Sequence, residues 1–211
     1  MKKVLIADDH AVVRNGVKKI FEDQPDETTF GEANTALEVT QLVREENWDL
    51  VILDISLGGG RNGLDALKEI RRIRPRLRVL VLTMHAEEQY ARRAFKAGAA
   101  GYITKDSSRA ELLKAANKVA EGFRYISPAF AEELVVDLER GNDRPPEETL
   151  SDREFEVMRL IASGKTVGEI AILLSLSGNT ISTYRARILE KMEMRTNAEL
   201  THYAIQKHLV E

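Results

Sequence analysis

Over the first 126 residues, short apolar runs alternate with longer segments whose apolar positions recur at helical spacing. The runs are Val4-Leu5-Ile6-Ala7, Leu50-Val51-Ile52-Leu53, Val79-Leu80-Val81-Leu82 and Gly101-Tyr102-Ile103, with a weaker one at Thr28-Thr29-Phe30-Gly31. After the first run, Val12, Val13, Val17, Ile20 and Phe21 mark one face of a helix. Residues 36–46, 63–73, 87–97 and 108–121 have helix length as well. Such alternation predicts a parallel sheet of five strands, doubly wound, with helices on both faces. Strands that are apolar throughout fit burial on both sides.

From residue 127 the pattern changes. Ser127-Pro128 reads as a helix start, since proline suits the first turn. A short helix over 129–139 then leads into the polar, proline-containing stretch 141–148, a linker. This places an α/β domain at 1–126, a linker with a short helix at 127–149, and an all-α domain at 150–211. In the last domain Ser151 and Glu154 form a capping box. An apolar face follows through Phe155, Val157, Met158, Leu160 and Ile161, and Gly164 ends the helix. Residues 166–174 form a second, short helix. A tight turn at 175–178 leads to a third over 179–192, and a last helix covers 197–209. Short helix, tight turn and longer helix make the helix-turn-helix pattern.

Projecting residues 179–192 at about 100° each separates two faces. Ile181, Ile188 and Met192 share one, flanked by Tyr184 and Leu189. Asn179, Thr183, Ala186 and Glu190 point the other way, beside Ser182 and Arg187. In a helix-turn-helix such an outward face enters the major groove of double-stranded DNA. There Arg187 suits a guanine edge, and Thr183 and Ala186 suit a thymine methyl. Thr180, Arg185, Lys165 and Lys191 suit phosphates, which position without specifying. A small helical protein–protein module shows the same spacing.

Charge changes this picture little. Residues 150–211 carry eight Lys/Arg and eight Asp/Glu, so the whole net charge of −3 lies in the first 149 residues. Nucleic-acid binding must therefore rest on local placement rather than bulk charge. The absence of cysteine excludes disulfides and thiolate zinc sites and fits a cytoplasmic chain. No apolar run approaches the roughly 18 residues of a membrane span.

The chemistry gathers where the strands end. Asp8-Asp9, Asp54, Thr83, Tyr102 and Lys105 each stand at or just beyond the carboxyl end of an apolar run. In an open parallel sheet those ends face one crevice, where ligands bind. Three carboxylates held together repel unless a proton or a cation sits among them. Magnesium, which prefers oxygen ligands, suits the set. An aspartate so placed can act as a nucleophile toward phosphorus. Lys105 would neutralise phosphoryl oxygens and Thr83 would donate to them. Taken singly these are ordinary residues: an Asp after a strand is often a turn former, and Thr83 a plain strand end. Their order and spacing together carry the reading. His10 and His85, among oxygen-rich neighbours, do not make a zinc-type set.

The strings VLIADDH (4–10), LVILDIS (50–56), VLTMH (81–85) and GAAGYITKD (98–106) make residues 3–121 resemble the receiver domain of bacterial two-component response regulators. The resemblance implies a flavodoxin-like fold and phosphorylation of Asp54 by a sensor histidine kinase. It implies magnesium held by Asp9, Asp54 and the Ser56 carbonyl, with Asp8 acting through water. Thr83 and Tyr102 become the switch pair and Lys105 the phosphate clamp. One stretch departs from the family pattern: Leu57-Gly58-Gly59-Gly60-Arg61-Asn62-Gly63 lacks the usual proline and is one residue longer. Its glycines should loosen a loop that flanks the pocket.

Residues 150–200 resemble the LuxR/NarL-type DNA-binding domain, except that Gly178 and Ser182 replace a Glu and a Lys common in that family. The last helix, with Leu200, Tyr203, Ala204 and Leu209, would pack on the domain and pair two copies. The combination implies a NarL/FixJ-type transcription factor. Phosphate would drive homodimerisation onto paired DNA half-sites, and turnover would be limited to slow loss of the protein's own phosphate. A phosphatase of the haloacid-dehalogenase kind would carry Asp-x-Asp, whereas Asp54 is followed by Ile55-Ser56. A phosphorylation-independent pseudo-receiver, binding DNA or acting as an adaptor, is the alternative kept open by the glycine loop.

Overall fold

The structure is a computed structural model describing residues 2–22, 24, 27–57, 63–85, 87–140 and 145–210. It divides into two compact units, Met1–Leu134 and Val135–Glu211.

The first unit is built on β1 (Lys2–Ala7), β2 (Thr28–Ala33), β3 (Leu50–Leu53), β4 (Arg78–Thr83) and β5 (Gly101–Thr104). All pairs are parallel and the order is β2-β1-β3-β4-β5. Five helices connect and follow them: α1 (Ala11–Glu22), α2 (Ala36–Glu45), α3 (Gly63–Ile73), α4 (Glu87–Ala97) and α5 (Arg109–Ala120). The expected sheet is present, with strand and helix ends shifted by a few residues. On one face, Val4, Ile6, Leu50, Ile52, Leu80 and Leu82 form a single apolar cluster with Val17 and Phe21 of α1 and Leu112, Ala115, Ala116 and Val119 of α5. Alternate residues of a strand point to opposite faces. Leu5, Val51, Leu53, Val79 and Val81 are buried too, so the other face is also covered.

Strand order reverses between β1 and β3, and such a switch point opens a crevice beyond the strand ends. The ladder continues one step past the strands: the Asp8 amide donates to Ala33 O at 3.1 Å, that of Asp54 to Ala7 O at 2.8 Å, and that of Lys105 to Thr83 O at 2.8 Å. These backbone bonds fix Asp8, Asp54 and Lys105 at the sheet's rim, after β1, β3 and β5. Gly63 starts α3 against the backbone that follows β3, its amide donating to Ile55 O at 2.9 Å. A Cβ there would lie 2.3 Å from Asp54 O and 2.7 Å from Ile55 Cα, so only glycine lets α3 start against that backbone. The expected loop anomaly at Gly58–Gly60 lies outside the described residues.

The helix α6 (Pro128–Arg140) opens with Ser127 Oγ accepting the Phe130 amide at 3.1 Å, and Phe130 is buried against Phe95 in a stacked pair. The first turns of α6 thus belong to the first unit, which ends at Leu134.

The second unit holds α7 (Asp152–Ala162), α8 (Val167–Leu173), α9 (Gly178–Lys191) and α10 (Asn197–Gln206). Ser151, Thr166, Ser177 and Thr196 each cap the helix that follows, the first two as complete capping boxes. Each cap satisfies amides that a helix start leaves without partners. Part of the expected linker is folded: Pro146–Thr149 forms a 3-10 turn. Its Glu147 carboxylate accepts a hydrogen bond from Tyr203 of α10, which pushes that phenol's pKa up through burial and then the neighbouring carboxylate. The last helix ends three residues earlier than expected, yet Leu209 stays buried.

Candidate functional site

Asp8 and Asp54 are each only 2% exposed at the rim of the sheet. Lys105 Nζ lies 2.6 Å from Asp8 Oδ2 and 2.6 Å from Asp54 Oδ2, bridging them. Burial works against its ammonium, but the hydrogen bonds and charges of the two aspartates outweigh this and hold its pKa above the ordinary value. The remaining carboxylate oxygens are held by the backbone. Asp8 Oδ1 accepts the His10 amide at 2.8 Å, and Asp54 Oδ1 accepts the Ser56 amide at 3.0 Å. Arg14 donates to Asp8 O at 2.7 Å and pairs with Glu32, bracing the end of β1 from α1.

Asp9 points to a more open position, with His10 Nδ1 at 2.7 Å from its Oδ1. Ligand atoms of Asp8, Asp9 and His10 lie within 4.8 Å of one another. Hard oxygens from Asp8 and Asp9, with the Asp54 carboxylate next to Asp8 through Lys105, fit the donor chemistry of magnesium. The imidazole, left aside on sequence grounds, is thus a neighbour of that set.

Thr83 is fully buried at the end of β4, with its Oγ1 3.5 Å from the His85 amide. Tyr102 is turned inward, 1% exposed, and its hydroxyl donates to the His85 carbonyl at 2.9 Å. His85 itself reaches Ser56 Oγ at 3.0 Å through Nε2 and stacks on the buried ring of Tyr90. Nothing in its spacing marks His85 as a partner of Ser56; a contact across 29 residues needs the fold to show it.

The α9 projection meets its match in burial. Ile181, Ile188, Leu189 and Met192 are buried, while Asn179, Ser182, Thr183, Ala186 and Arg187 are exposed. Thr183 Oγ1 donates to Asn179 O, and Thr180 shares a 2.8 Å hydrogen bond with the cap Ser177. Two cations of the expected phosphate set are engaged within the unit. Arg185 Nε donates to Asn197 Oδ1 at 2.7 Å, and Lys191 Nζ lies 2.6 Å from Glu154 Oε2. Glu154, nearly fully buried, also accepts the Ser151 amide and hydroxyl. Burial alone would raise its pKa; Lys191 and Ser151 overcome that and hold it below the ordinary value of 4.5. Lys165 and Arg187 remain exposed.

Residues 4–117 match the family model described as response regulator receiver domain, and residues 148–204 the one described as bacterial regulatory proteins, luxR family. The chain is 34% identical to the response regulator UvrY of Escherichia coli K12 over 210 residues, covering 99% of this chain and 96% of UvrY. It is 35% identical over 216 residues to the oxygen regulatory protein NreC of Staphylococcus epidermidis, covering 99% of each. Among solved structures, the RcsB response regulator of Salmonella typhimurium superposes with a TM-score of 0.69 at 28% identity, over 98% of both chains. RcsB bound to the promoter P1flhDC in the presence of the phosphomimetic BeF3- superposes at 0.60 with 27% identity, over 96% of this chain and 97% of that one. Receiver fold, acidic rim and exposed helix-turn-helix face agree with these likenesses, and the chain belongs to the NarL/FixJ-type response regulators, transcription regulators that join a receiver domain to a LuxR-type DNA-binding domain.

Proposed function

We propose that Asp54 accepts a phosphoryl group from a sensor histidine kinase and that this phosphate controls pairing of two copies on DNA. The observation that carries the reading is Asp54 at the end of β3, bridged to Asp8 by Lys105 at 2.6 Å. In the transfer, an Asp54 carboxylate oxygen forms the new P–O bond while the P–N bond to the kinase histidine breaks and the imidazole departs with the electron pair. Asp8, Asp9, Asp54 and the Ser56 carbonyl would hold magnesium, which when bound supplies positive charge for the phosphoryl oxygens. The Lys105 ammonium, now on Asp54, is placed to pair with the phosphate once it forms. Thr83 offers a hydroxyl from the neighbouring strand end, and Tyr102 reports the state of the loop after β4.

The output face is α9. Asn179, Ser182, Thr183, Ala186 and Arg187 line the side that a recognition helix turns to base edges. Thr180, Lys165 and Arg185 flank it for phosphates, Arg185 after leaving Asn197, while Lys191 stays on Glu154 as a structural partner. One such helix binds weakly; two joined in a homodimer gain effective concentration. The protein works where DNA is, in the cytoplasm, and no described helix is long and apolar enough to cross a membrane.

The test is duplex selection from a randomised pool by full-length protein, with acetyl phosphate and magnesium. Affinity for the selected duplex should rise with phosphodonor in wild type and stay flat in Asp54→Asn. Equal gains in both proteins would rule out Asp54 as the controlling group.

A further inference from the structure

A hydrogen-bonded path leads from the acceptor to the switch tyrosine without passing through Thr83. Asp54 Oδ1 accepts the Ser56 amide at 3.0 Å, and Ser56 Oγ meets His85 Nε2 at 3.0 Å. The His85 carbonyl then receives the Tyr102 hydroxyl at 2.9 Å. The imidazole is gripped from a second side by the buried Tyr90 ring, 4.4 Å between centroids and 26° from parallel. An imidazole held by a hydrogen bond and a stacked ring has little rotamer freedom, so its backbone carbonyl has little as well.

We propose that His85 is a positioning residue. Its bond to Ser56 ties the loop after β3 to the loop after β4 and aims the His85 carbonyl at Tyr102, giving Asp54 a second link to the switch alongside Thr83. The inference rests on Asp54 as the phosphate acceptor. Any change that displaces the Ser56 amide from Asp54 Oδ1 reaches Tyr102 through this bond. Coupling of this kind is a difference in free energy between two states and needs a measured cycle, not adjacency alone.

The test uses the full chain with 3-fluorotyrosine at its five tyrosines, with the Tyr102 resonance assigned by Tyr102→Phe. Wild type, His85→Ala, His85→Gln, Ser56→Ala, Thr83→Ala and the His85→Ala/Thr83→Ala pair are compared with and without acetyl phosphate and magnesium. Intact mass is read on every sample, and the Tyr125, Tyr184 and Tyr203 resonances report folding. With no phosphodonor, His85→Ala and Ser56→Ala should each lower the inward-to-outward ratio of Tyr102 about fivefold, the effect of one net hydrogen bond. His85→Gln, whose amide can still meet Ser56, should restore most of it. With phosphate on, the double variant should respond less than Thr83→Ala alone. A Tyr102 signal unchanged in both His85→Ala and Ser56→Ala, or a double variant no weaker than Thr83→Ala, overturns the link. Failure of the wild type to gain phosphate would instead strike the acceptor reading, while the donor-free comparison still decides His85.

Discussion

Replacing Lys191 by Met should cost the DNA-binding unit stability rather than electrostatic grip on DNA. The ammonium lies 2.6 Å from Glu154 Oε2, where the lysine side chain is 41% exposed and the glutamate 4%. A hydrogen bond to a charged group contributes about 1.5–3 kcal/mol. Exposure of the lysine discounts this, since water screens one side of the pair. Glu154 also keeps its two Ser151 donors. A loss of about 1–2 kcal/mol follows, which in a unit of this size lowers Tm by roughly 4–16 °C. The pair has a definite pH signature. The folded pKa of Glu154 is depressed below 4.5, so its contribution is present above that value and is lost as pH falls through the lower folded one. Thermal melts of the C-terminal transition in wild type, Lys191→Met and Glu154→Gln across this acid range measure both effects. A free phosphate contact would instead change the salt dependence of DNA binding by about one unit of slope on removal. An unchanged Tm together with that full change in slope would refute the ion-pair argument.

Three further outcomes follow from single positions. Gly63→Ala should slow phosphorylation by acetyl phosphate and shift the amide signals of Asp54 and Ile55, because its Cβ would meet their backbone at 2.3 and 2.7 Å; an unaltered rate would mean the acceptor loop is not held by α3. Ser177→Ala should destabilise the C-terminal unit by about 1 kcal/mol, the usual loss for an N-cap, as read by chemical denaturation. Arg187→Ala should weaken binding to a selected duplex by about 1–3 kcal/mol and relax preference at one base pair, whereas a uniform loss across sequences would make it a phosphate contact.

Much of this was legible in the sequence, for identifiable reasons. Strands buried on both faces leave unbroken apolar runs, so Val4–Ala7 and Leu50–Leu53 declare themselves and bring Asp8 and Asp54 to the rim. The 3.6-residue period sorted α9 into the buried Ile181–Ile188–Met192 side and the exposed Thr183–Ala186 side. What the sequence did not reveal depends on long-range side-chain meetings. Glu154 reads as a capping residue and Lys191 as a phosphate contact 37 positions away; only packing of α7 on α9 joins them. The same holds for Ser56 and His85, and for Tyr203 reaching Glu147 in what reads as plain linker. Helix edges moved where caps decide them: Thr166 stands outside α8 as its cap, and Ser177 lets α9 begin at Gly178.

The central claim is that Asp54 carries the controlling phosphate. Intact mass after incubation with magnesium and acetyl phosphate, with sedimentation of the same samples, tests it most directly in wild type and Asp54→Asn. The account expects one added phosphate in wild type, none in the variant, and dimer formation only where the phosphate is present. A dimer that forms equally in both, or a phosphate that persists in Asp54→Asn, would contradict it.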